Sequence, residues 1–164
     1  MTLLHTKGNL IDLAEQGEFD VIVHGCNCLN TMGSGIAAEI RQRYPEAYEA
    51  DTVYTRQIDE DTNSQVQKLG CYTTHLVNGE HNFLIVNAYT QVNFMPRDVD
   101  HFEYASFEVI LKKMAAEYGP FNIGFPYIGM GLAGGDKDRI IKMLEDFAEK
   151  ISAQGGSVTL VEFG

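Results

Sequence analysis

The chain has 164 residues, 45% of them hydrophobic and 21% charged, which fits a single domain over residues 1–164 with a full core. Its 12 Lys and Arg stand against 23 Asp and Glu, so the net charge of −11 has the wrong sign for a general nucleic-acid or anionic-membrane binder, and an anionic ligand would have to be held locally. No apolar run approaches the ~20 residues that cross a bilayer, and MTLLHTKGN lacks the basic-then-apolar pattern of a signal peptide, so a cytoplasmic protein is expected. Three cysteines, two of them a single residue apart, make a poor disulfide framework and suit a reducing compartment.

Thr2 to Thr6 and Asp20 to His24 (DVIVH) read as strands, the second a Val/Ile run of the kind buried on both faces. Ile36, Ala37, Ile40 and Tyr44 then repeat at helical spacing up to Pro45, and Glu46 to Thr55 resumes as a second helical piece. The polar stretch Asp59 to Lys68 has little to bury and predicts a surface loop. Gly70 to Val77 and Phe83 to Ala88 flank Asn78-Gly79, a hairpin signal. A loop containing Pro96 leads to a helix over Phe102 to Tyr118 with one apolar and one polar face. Phe121 to Phe125 is the next strand. Asp136 opens a helix that has its acids early and ends at Gly155-Gly156, and Val158 to Phe163 closes the chain as a strand. Strands interleaved with helices mean an α/β sandwich, and the hairpin makes its sheet mixed.

The chemistry concentrates at two strand-to-helix junctions: HGCNCLNTMGSGIAAEI, from His24 to Ile40, and FPYIGMGLAGGDKDR, from Phe125 to Arg139. Glycines let backbone approach a ligand, and helix N-termini present unpaired N–H groups, so both junctions suit phosphate oxygens without cations. From Ile22 to Ala38 and from Gly119 to Gly135 there is no Asp, Glu, Lys or Arg, so an anion would meet amides without carboxylate repulsion. Other readings fit less well. Gly129 to Gly134 matches G-x-G-x-x-G but leaves room for only one further strand, whereas a dinucleotide fold places that motif early. GGDKD lacks the Lys-Ser/Thr pair of a P-loop. His24, Cys26 and Cys28 are crowded for a tetrahedral zinc, so no metal is expected and the cysteines read as small buried hydrophobes. Taken alone, His24 also fits a satisfied core histidine, and Asp136 a helix N-cap.

KGNL after the first strand, VIVHGCN…MGSGIA after the second, PYIGMGLAGGD after a late strand and the terminal VTLVEF together resemble the macrodomain family over nearly the whole chain. Within it the chain is similar to the branch of ADP-ribose 1''-phosphate phosphatases and terminal ADP-ribose glycohydrolases, because His24 stands where most members carry the first asparagine of an NAAN motif. The resemblance implies a three-layer α/β/α sandwich with a mixed, mostly parallel six-stranded sheet, and an ADP-ribose derivative bound at the strand ends. It also implies site residues. Asn9 and Leu10 approach the adenine, with Phe163 packed on the same base; Asn9 departs from the family's usual Asp. Asn27 reaches the distal ribose, while Met32, Gly33, Ser34, Gly35 and Ile36, together with Ile128, Gly129, Met130, Gly131 and Leu132, form the two loops around the diphosphate and that ribose.

Departures select among activities. Glycohydrolase relatives pair a lysine on a central strand with an aspartate after GCGL, where this chain has Asn87 and Ala133. The GLAGGD form resembles the phosphatase branch and supplies Asp136 opposite His24. The expectation is a monomeric phosphatase without a cofactor that converts ADP-ribose 1''-phosphate to ADP-ribose and phosphate. His24 is its nucleophile or general acid/base and Asp136 orients it or a water. The alternatives are a hydrolase that removes ADP-ribose from macromolecules and a protein that reads or sequesters ADP-ribose without turnover.

Overall fold

The computed structural model describes residues 2–33, 35–61, 65–93, 100–131 and 133–164. The expected Pro96 loop, Ser34 and Leu132 fall outside them. Six strands, β1 (Leu3–Lys7), β2 (Val21–Asn27), β3 (Tyr72–Val77), β4 (Phe83–Gln91), β5 (Asn122–Phe125) and β6 (Ser157–Glu162), form one sheet in the order β1-β6-β5-β2-β4-β3. Every pairing is parallel except β3 with β4, so the hairpin supplies the mixed edge of an otherwise parallel sheet.

Parallel pairing requires crossovers, and the helices provide them on both faces. One core cluster packs α1 (Leu10–Glu15), α2 (Gly35–Arg43) and α3 (Pro45–Asp61) against Ile22, Cys26, Ile85 and Tyr89. The other packs α4 (Tyr104–Glu117) and α5 (Lys137–Ala153) against Val21, Val23, Val86, Ile123 and Leu160. Alternation along β2 thus divides the core, and the three-layer α/β/α sandwich is present as expected.

Two parts of the sequence reading need correction. Helix α1 had no counterpart in it. Asn9 caps that helix by accepting from Asp12 N–H at 3.0 Å, and Leu10, Ile11 and Ala14 are buried. The stretch Asp59 to Lys68, expected as a loop with little to bury, is partly regular: α3 continues to Asp61, and Gln65–Lys68 form a 3-10 turn. The turn delivers Lys68 into the interior, where its ammonium meets Asp51 at 2.8 Å with both side chains at most 1% exposed. Among the described residues, no helix is long and apolar enough to cross a membrane.

Candidate functional site

Strand β2 is three residues longer than its apolar run, because pairing with β4 continues through Gly25, Cys26 and Asn27. The register shifts at its end, where Cys26 lies opposite Tyr89 and Asn27 opposite Gln91, so Thr90 is passed over in a bulge. Gly25 faces that bulge closely; a Cβ there would stand 2.9 Å from Thr90 Oγ1 and 3.1 Å from Ile128 Cγ1. Past the strand ends the chain turns through Asn30 and Met32, both at positive φ (61° and 42°), into α2. Asn27 holds this turn: its Oδ1 accepts from Leu29 N–H at 2.9 Å and its Nδ2 donates to Thr31 Oγ1 at 2.7 Å.

Two adjoining cavities open over these strand ends. One, of about 460 Å³, lies between the β2–α2 and β5–α5 loops and is lined by Gly25, Asn27, Met32, Gly33, Ile128, Gly129 and Gly131, among others. The second, of about 390 Å³, lies between Asn9, Leu10, Glu39, Val161 and Phe163. Gly35, Ile36 and Pro126 line both, which makes them one cleft. The first turn of α2 therefore opens at their junction, where its N–H groups have no intrahelical partner. On the opposite wall, Gly129 adopts φ +74°, and a side chain there would collide with the Phe102 ring. A larger groove of about 590 Å³ lies away from these loops, between α3 and the β3 edge, and carries Glu46, Glu49 and Glu117. Its charge disfavours an anion.

Eleven of the residues expected from the sequence line the cleft: Asn9, Leu10, Asn27, Met32, Gly33, Gly35, Ile36, Ile128, Gly129, Gly131 and Phe163. Met130 packs partly buried against the core on the α4–α5 side. Phe163, 81% exposed, offers a ring face at the rim. The amide oxygen of Asn9 is occupied by the α1 cap, and its Nδ2 donates to Glu39 Oε1 at 3.0 Å. The carboxylate facing that cavity is therefore Glu39, braced also by Arg43 at 3.0 Å, a residue the sequence reading missed.

His24 and Asp136 are not brought together. His24 points to the α1–α3 side of the sheet, is fully buried, and bonds Asn87 Oδ1 through Nε2 at 2.6 Å. Asn87 Nδ2 donates to Ala47 O and Thr73 Oγ1, so Oδ1 faces the ring and Nε2 carries the proton. Burial lowers the His24 pKa from 6.5 to about 4, against the raising effects of Asn87 and Asp51. Asp136 stands before α5, on the other side of the sheet. Its Oδ1 accepts from Arg139 N–H at 3.2 Å, and its own N–H donates to Tyr104 Oη at 2.8 Å. Cys26 and Cys28 are buried free thiols, and burial pushes Cys28 up to about 11. Among the described residues, no three His, Cys, Asp or Glu gather to hold a metal ion.

This arrangement is the macrodomain fold. The macrodomain of Mycobacterium tuberculosis DarG superposes with a TM-score of 0.74 at 19% identity over 97% of each chain. Thermosipho africanus DarTG in complex with ADP-ribose superposes at 0.68 and 14% identity, over 90% of this chain and 39% of that one. In sequence, the chain is 32% identical over 157 residues to an uncharacterised 17.5 kDa protein of the tk-vs intergenic region of Enterobacteria phage T4, covering 92% of this chain and 93% of the phage protein. It belongs to that phage protein's family. No family model matches the sequence.

Proposed function

We propose that this protein binds ADP-ribose or a derivative of it in the cleft, with the base between Leu10 and Phe163, the diphosphate at the first turn of α2, and the distal ribose in the larger cavity. The observation that carries this reading is the joining of an apolar cavity, suited to a base, to one walled by two glycine-rich loops free of Asp, Glu, Lys and Arg. A ligand of base, diphosphate and second sugar matches that sequence of surfaces. In this reading the Glu39 carboxylate accepts from the adenine amino group, the part that Asn9 cannot play while it caps α1.

Turnover of ADP-ribose 1''-phosphate is the second reading, favoured by Asp136 lying three positions after Ala133, which lines the cavity. Binding is the better supported of the two, because His24 is fully buried, bonds Asn87 and is absent from the cleft lining. Calorimetric titration with ADP-ribose tests the first reading. Wild type binds, and Phe163→Ala weakens binding by about 1–3 kcal/mol, the usual worth of a base stacked on an aromatic ring, without a change in melting temperature. Equal affinity for the two proteins would sink the placement of the base. Incubation with ADP-ribose 1''-phosphate tests the second: phosphate and ADP-ribose released in equal amounts establish a phosphatase, and binding without release establishes a reader.

A further inference from the structure

One carboxylate reaches the larger cavity from an element that the two loops do not include. Asp51, on α3, lines it beside Cys26, although its side chain is only 1% exposed. Its Oδ1 is fully engaged, accepting from Lys68 Nζ at 2.8 Å and from Tyr89 Oη at 2.6 Å. Lys68 Nζ donates in addition to Thr55 Oγ1 at 2.7 Å and lies 4.3 Å from the Tyr89 ring centroid. Lys68 is thus held behind Asp51 and is absent from the cavity lining. The other oxygen, Asp51 Oδ2, is buried without a hydrogen-bond partner, and so is Thr90 Oγ1 in the bulge; among the described residues these are the two such side-chain atoms, and both residues line this one cavity.

Buried polar atoms without partners are rare, because each gives up its water for nothing. Two of them in one cavity wall mark the places where a ligand completes the bonding. An ionised carboxylate only accepts, and a phosphate brought against it would meet like charge at low dielectric. We propose that Asp51 is a specificity-determining residue: its Oδ2 accepts from a hydroxyl of the distal sugar, Lys68 and Tyr89 hold the carboxylate aimed through Oδ1, and Oδ2, the oxygen nearest the ligand, rejects an anionic substituent at that end. The ligands are then ADP-ribose units whose distal ribose is free or joined through a neutral group, not the 1''-phosphate. This rests on the ADP-ribose reading of the cleft and sharpens it.

Calorimetry of wild type with ADP, ADP-ribose and ADP-ribose 1''-phosphate tests the proposal. ADP-ribose is expected to bind about tenfold more tightly than either of the others, the worth of one hydrogen bond to a charged group. Asp51→Asn keeps an oxygen for Lys68 and Tyr89 but turns a donor toward the ligand. It should lower ADP-ribose affinity about tenfold, raise affinity for the 1''-phosphate and leave ADP unchanged, which also certifies that the variant is folded. If Asp51→Asn does not fold, the wild-type ranking decides alone. Equal or tighter binding of the 1''-phosphate by wild type overturns the proposal and leaves the cleft assignment standing. Failure of folded wild type to bind any of the three overturns both.

Discussion

His24 shows how a residue chosen for its chemistry is explained by its packing. Opposite it in register on β4 is Asn87, and the bond between them satisfies two polar groups in the interior at once. The price falls on acid stability. The unfolded chain takes up a proton on this ring near pH 6.5, whereas the folded protein resists until about pH 4. The stabilisation is therefore complete above 6.5 and is lost as the pH falls toward 4, amounting to about 3 kcal/mol at the bottom of that window. Urea unfolding at several pH values should show this slope in wild type and a shallower one in His24→Leu. That variant should also be less stable at neutral pH by about 1–3 kcal/mol, because Asn87 Oδ1 is left unpaired. Identical slopes would remove the buried neutral histidine from the account. A His followed by Gly-Cys-Asn looks the same in sequence whether its ring meets a ligand or an asparagine 63 positions away. The alternation of β2 places His24 on the face of Ile22 and Cys26, where its ring meets Asn87.

At the scale of elements, α5 is the plainest case. Its caps and its apolar face of Ile140, Leu144, Phe147 and Ile151 are written in its own residues, and helix and prediction agree closely. Asp136→Ala removes the N-cap, so chemical denaturation should register a loss of about 1 kcal/mol. ADP-ribose affinity should hold; a large fall in phosphate release at unchanged stability would instead make Asp136 a participant in catalysis. Shorter elements were harder to read. The six residues of α1 are too few for a periodic signal, although Asn9 as cap and Gly17 at φ +91° mark its ends. The strand β2 outran its Val/Ile run because glycine and asparagine there are held by pairing with β4, which is not a local property. Lys68 was misread for a related reason. A polar segment looks solvated until a partner such as Asp51, 17 positions earlier, is folded against it.

For the molecule as a whole, the proposed anionic ligand is compatible with the charge of −11 because the cleft loops carry neither acids nor bases. In that proposal attraction comes from fixed amide dipoles at short range, while repulsion comes from the distant acidic surface. Salt screens the distant charges first. Raising ionic strength from low to physiological values should leave ADP-ribose affinity level or improve it, and titrations in a series of NaCl concentrations measure this. A steep loss would mean that lysines or arginines hold the diphosphate. The two loops were legible in the sequence because glycines between a strand and a helix are a local pattern. Glu39 and Asp51 were not, since each reaches the cleft from inside a helix whose placement depends on tertiary packing.

The strand order has a consequence for the chain as it is made. In space β6 lies between β1 and β5, yet it follows every other element in the sequence. Among the described residues β1 has one sheet neighbour, β6, so the two can pair only after everything between them has been made. Until β6 inserts, the half of the cleft proposed for the base is open, because Asn9 and Leu10 stand on one side of the gap and Val161 and Phe163 arrive with the wedge that fills it. A nascent chain halted short of β6 is thus not a slightly shorter version of this protein. It is a sheet with β1 cast off, and its cleft closes only once β6 is in place.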